Sequence, residues 1–160
     1  MVTAVQFVSL LLMALATGVV FSHMLQRGPK ATLPASVFLS VQQILLRNYG
    51  AALGTIEAGA FASTLVMAFL VRTRPAGFAL TAIACVCVAA MIAVWAVWIN
   101  PINKAVNSWT ADSMPSNWSE FRDRWHRLHT LRAGLALAGL SALIVAGVVE
   151  CQQSGKAGAM

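Results

Sequence analysis

Four apolar runs dominate this chain and leave it few ways to fold. They cover about residues 3–26, 50–71, 77–99 and 128–149, each near the roughly 20 residues a helix needs to cross a hydrocarbon layer. Inside lipid there is no water to pair backbone N–H and C=O groups, so each run must satisfy its own backbone as a helix. The expected fold class is therefore an all-α membrane protein, an up-down-up-down four-helix transmembrane bundle with polar interfacial segments between spans 1–2 and 3–4. Composition agrees: 10% of the 160 residues are charged and 59% are hydrophobic, whereas a soluble domain carries about 25% charged residues. Residues 1–160 read as a single four-span membrane domain, with no soluble module, low-complexity tail or internal repeat.

The formal net charge is +6, but the basic residues stand at the ends of the apolar runs, where they anchor and orient spans. No nucleic-acid partner is expected; the lipid bilayer is. The connections between spans 1–2 and 3–4 hold Arg27, Lys30, Arg47, Lys104, Arg122, Arg124 and Arg127, against Arg72, Arg74 and Lys156 on the other side. Counting places the first group in the cytoplasm and the protein in the cell membrane. Cys85 and Cys87 point about 200° apart on a helix, so neither a shared metal nor a disulfide is read from them. GxGxxG, P-loop and GxSxG patterns are absent, which argues against nicotinamide cofactors, ATP and serine-hydrolase chemistry. Oligomeric state is not fixed by the sequence, and an oligomer is compatible with it.

The unusual polar residues are not spread evenly. In the up-down arrangement, the ends of spans 1 and 3 share a membrane face with the beginnings of spans 2 and 4. His23 ends span 1, Glu57 lies inside span 2, Asn100 and Asn103 close span 3, and Trp125, His129 and Arg132 open span 4. Fourteen residues lie between Glu57 and Arg72, about 21 Å of helix, so Glu57 sits within the apolar slab. An isolated carboxylate there is strongly disfavoured, and an ion pair with Arg132 or a hydrogen bond with His129 would compensate it. Trp125, His129 and Arg132 are spaced i, i+4, i+7 and fall on one helical stripe. They combine a stacking surface, a titratable imidazole and a fixed cation, a set suited to a planar aromatic substrate with an ionisable oxygen. His126 is expected to point away, towards the headgroups. Simpler roles compete: Arg122, Arg124 and Arg127 as headgroup anchors, Trp95, Trp98 and Trp109 as interfacial belt residues, and Glu57–Arg132 as a structural ion pair.

The Asn-Pro-x-Asn exit of span 3 (Asn100, Pro101, Asn103) and the Arg-Trp-x-x-x-His-x-x-Arg opening of span 4 (Arg124, Trp125, His129, Arg132) resemble the anthrone oxygenase-like family. The four-span layout extends the likeness over nearly the whole chain. These are small four-helix membrane proteins, and the resemblance implies oxidation of an anthrone to an anthraquinone with O2, without flavin or haem. On that reading no cofactor is needed, and the partners are O2 and a small hydrophobic aromatic substrate. His129 or Glu57 would remove a proton from the carbon opposite the carbonyl. Arg132, with Asn103, would stabilise the enolate oxygen, Trp125 would stack on the ring, and Asn100 and His23 would contribute to substrate binding. Two alternatives remain: a metal-dependent oxidoreductase, with non-haem iron on His23, Glu57 and His129 or haem between His23 and His129, and a non-catalytic membrane subunit or lipid-binding scaffold.

Overall fold

The computed structural model describes residues 1–158, with side chains described as far as residue 152. Among the described residues every regular element is helical. Four stretches are long and apolar enough to cross a membrane: Val2–Leu25, Tyr49–Leu70, Pro75–Ser108 and Trp118–Gln152. The first two match the expected runs to within a residue, inside the usual uncertainty of helix ends. The third and fourth reach further than their apolar cores. Helix α1 is Val2–Leu25, followed by short helices α2 (Arg27–Ala31) and α3 (Ala35–Ser40). A π-helical turn at Val41–Leu45 leads to α4 (Tyr49–Leu70), and α5 (Pro75–Val94) follows. A second π turn, Trp95–Ile99, joins α5 to α6 (Asn100–Ser108), and α7 runs Trp118–Gly158.

Residues 100–108, expected to leave the third span, instead continue it as α6. Pro101 explains the change of helix type just before it. Proline has no N–H for the carbonyl four residues back, and its ring crowds that carbonyl. The carbonyl belongs to Val97, inside the π turn, so the helix absorbs the proline by widening there instead of ending. At the far end of α6, Gln43 Nε2 donates to the carbonyls of Val106 and Trp109, both at 2.9 Å. Two helix-end acceptors are thereby satisfied, and the first π turn is tied to α6.

Helix α1 packs on α4 and α7, and α5 packs on the same two, so the long helices close around one core. That core is built from small and flexible side chains: Met13, Ala16, Ala60, Ala84, Met91, Ala133 and Ala136. Small residues let helix backbones approach closely, which matters where lipid supplies no hydrophobic drive between helices. Gly139 marks one close approach. A Cβ there would stand 2.8 Å from Met13 Cε and 3.1 Å from Cys87 Cβ. The buried hydroxyls of Thr17 and Thr81 are satisfied within their own helices, each donating to the carbonyl four residues back at 2.7 Å. Large apolar side chains such as Phe7, Phe69 and Val86 are exposed on the outside, the face a bilayer would cover.

Candidate functional site

At the end of the bundle where α4 begins, the apolar core gives way to a cavity of about 380 Å³, within the roughly 300–1,000 Å³ that small-molecule sites occupy. His23 reaches it from α1, Trp95 from the second π turn, Asn100 and Asn103 from α6, and Trp125, His129 and Arg132 from α7. Gln42 lines it from the first π turn, and Arg47, Tyr49 and Gly50 lie where the chain passes into α4. The i, i+4, i+7 stripe of α7 does face inward: Trp125, His129 and Arg132 are 3%, 3% and 0% exposed.

The aromatic groups stand in mutual contact. The His129 ring centroid lies 4.0 Å from that of Trp125, and the His23 centroid 4.5 Å from that of His129. His23 also meets Trp125 edge-on at 5.0 Å and Tyr49 at 5.7 Å. Asn103 Oδ1 accepts a 2.9 Å hydrogen bond from Trp125 Nε1, which fixes the plane of the indole. Expected to help stabilise an enolate, Asn103 thus spends its carbonyl oxygen on orienting the stacking residue. Asn100 lines the wall beside it.

Glu57 occupies a different position from the one expected of a base. It is buried and pairs with Arg132 through Oε1 and Nη2, and it is absent from the cavity wall. Its carboxylate holds the guanidinium from behind. The pairing leaves Arg132 Nε and Nη1 buried with no hydrogen-bond partner among the described residues. A buried donor left unsatisfied costs about 1–3 kcal/mol, and more when charged. Two such donors on a residue that lines the cavity are natural partners for an anionic or strongly polarised oxygen. The Nδ1 atoms of His23 and His129 are likewise buried and unpartnered.

The metal and haem alternatives do not fit this donor set. Among the described residues no group of three or more His, Cys, Asp or Glu side chains gathers as a metal site; His23, Glu57 and His129 do not converge, because Glu57 faces Arg132. The 4.5 Å between the His23 and His129 rings leaves no room for a porphyrin between them.

Two buried groups near the site were not anticipated. His126, expected to point towards the headgroups, is 1% exposed, stands edge-on to Trp125 at 5.1 Å, and has both ring nitrogens unpartnered. Lys30 is buried on α2, with Nζ 3.5 Å from Gln42 Oε1 and 5.3 Å from the Trp125 ring centroid. Burial lowers its ammonium to about 8. The reason lies in the connection between α1 and α4, which folds back over Trp125. Arg122 Nη1 donates to the Ala31 carbonyl at 3.0 Å and pins that connection to α7. Arg122, expected as a headgroup anchor, therefore makes an internal contact. Trp95, expected in the interfacial belt, lines the cavity, whereas Trp98 is exposed and Trp109 packs edge-on against Phe121 at 5.2 Å.

Compared with known families, residues 21–142 match the family model described as anthrone oxygenase. No curated protein matches the chain, and no solved structure does.

Proposed function

The chain belongs to the anthrone oxygenase family, and from that premise we propose that it is a membrane-embedded oxygenase acting on a planar polycyclic phenol of the anthrone type with O2. The observation that carries this reading is the Arg132 guanidinium, fixed by Glu57 with two nitrogens unpaired, on the same cavity wall as His129 and Trp125.

An anthrone ring stacks on Trp125 with its carbonyl oxygen towards Arg132. His129 removes a proton from the carbon opposite the carbonyl. The electron pair of the broken C–H bond delocalises onto the oxygen as an enolate, which Arg132 stabilises where charge develops. This anion is electron-rich enough to pass one electron to O2, and recombination of the resulting radical with superoxide forms a C–O bond and a peroxide. Loss of the second hydrogen from the same carbon, with cleavage of the O–O bond, leaves the quinone carbonyl and water. In sum CH2 + O2 becomes C=O + H2O, with O2 as the oxidant. Glu57 is a positioning residue in this scheme, since it acts through Arg132.

The test is aerobic turnover of a hydroxyanthrone by purified protein, followed as quinone absorbance and oxygen uptake. His129→Ala is expected to lower kcat about 10²–10⁴-fold with an unchanged thermal transition. Undiminished turnover in that variant removes His129 from the reaction. A wild-type rate equal to the spontaneous one removes the oxygenase reading altogether, leaving a lipid-binding scaffold as the better description.

A further inference from the structure

The proposed reaction has a proton problem that one imidazole does not solve. Both hydrogens leave the same carbon, and both must finish on the oxygen atom that departs as water. The carbon and the outer peroxide oxygen are different places, so a base held at one is not well placed as a donor at the other. Glu57, the nearest described carboxylate, is engaged by Arg132 and is not on the cavity wall. A second proton-carrying group is present, however. His23 lines the same cavity from a different helix, is 3% exposed, and lies ring to ring with His129 at 4.5 Å. Its Nδ1 is buried without a partner. An imidazole accepts a proton on one nitrogen while releasing another from the second, which is the chemistry of a relay.

Resting on the oxygenase reading above, we infer that His23 is the proton carrier between His129 and the departing oxygen. The first proton passes from carbon to His129, then through His23 to the outer oxygen of the carbon-bound peroxide, giving the neutral hydroperoxide. His129, neutral again, takes the second proton from the same carbon. The C–H electron pair becomes the second bond of the new carbonyl, the O–O bond breaks, and its pair leaves with the outer oxygen as hydroxide. His129 then returns its proton through His23 to that hydroxide, forming water. Both imidazoles end neutral, and O2 has taken up the two electron pairs of the two C–H bonds. The division assigns His129 to the carbon and His23 to the oxygen.

Two reactions separate these roles. Without O2, exchange of the carbon-bound hydrogens of an anthrone with D2O, measured by NMR at saturating anthrone and above the spontaneous rate, reports His129, whose proton exchanges with water in the cavity without passing through His23. With O2, quinone formation needs both groups. His23→Gln, and His23→Ala as a second variant, are expected to keep anaerobic exchange within about threefold of wild type. Their quinone formation should fall about 100-fold, the scale of a lost proton-transfer group, with hydroperoxide or released H2O2 becoming detectable. His129→Ala is expected to lose the exchange itself. Quinone formation at the wild-type rate in both His23 variants overturns the inference, as does loss of exchange in parallel with turnover. Wild-type protein that catalyses neither reaction overturns the oxygenase reading instead, and this inference with it.

Discussion

Among the described residues, two ion pairs join buried carboxylates to arginines in this bundle, 18 residues apart along α7, or about 27 Å. Near the cavity, Glu57 and Arg132 have side chains 3% and 0% exposed. At the other end Glu150 is equally sheltered at 7%, but its partner Arg74 is 47% exposed. The second pair sits at the turn between α4 and α5, with the arginine free to reach water or headgroups, and needs no role beyond joining that turn to α7. The first has no solvent to complete the hydrogen bonding of its guanidinium, and two nitrogens are left unpaired on a residue that lines the cavity. A buried pair is weak evidence for stability, because desolvation offsets most of its attraction. Glu150 Oε1 is also buried without a partner among the described residues; what distinguishes Glu57–Arg132 is that its unpaired donors belong to a residue lining a cavity, which points to a ligand rather than to packing.

Breaking each pair should therefore give unequal results. The largest effect is expected for Arg132→Met, which leaves Glu57 buried and alone. Stability should drop by about 3–5 kcal/mol, read as a lower thermal transition in detergent, and turnover by about 10²–10³-fold, as for loss of an oxyanion donor. Adding Glu57→Gln to that variant should restore much of the stability without restoring turnover, so the two consequences separate. A double variant that regains activity would make the pair structural only. The smallest effect is expected for Arg74→Met. It also leaves a sheltered carboxylate without its partner, but at a turn whose arginine is half exposed. Stability should drop by about 1–3 kcal/mol, with turnover as in wild type. A large loss of activity on breaking Arg74–Glu150 would erase the contrast between the two ends.

Much of this arrangement was legible before any coordinates. The apolar runs and the backbone's need for internal hydrogen bonds dictated helices, and the α7 stripe followed from its spacing. Family membership was legible too, in the residues around Asn100–Asn103 and Arg124–Arg132. What escaped notice did so for identifiable reasons. Trp95 and Asn100 are five residues apart, about 140° around a regular helix, so they should not share a wall. The π turn ahead of Pro101 adds a residue to that turn and changes the phase. Lys30 was counted only among the basic residues of the connection between spans 1 and 2, and His126 was turned towards the headgroups because it lies off the Trp125–His129–Arg132 stripe. A fold-back held by Arg122 on Ala31 leaves no periodic trace. Glu57 was read correctly as needing a partner, but spacing cannot say whether its free oxygen or its partner's free nitrogens would face the cavity. Only the packing of α4 against α7 decides that.

The central claim is that one chamber both removes a proton and holds the oxyanion that results. It is tested most directly by mixing purified protein with a hydroxyanthrone under strictly anaerobic conditions and recording the absorption spectrum. The enolate band is expected at a pH where the free compound is neutral. It should form with wild-type protein, weaken strongly with Arg132→Met, and fail to develop with His129→Ala. A bound ligand that keeps the spectrum of the neutral anthrone in wild-type protein, or an enolate band of equal strength in all three, would contradict it.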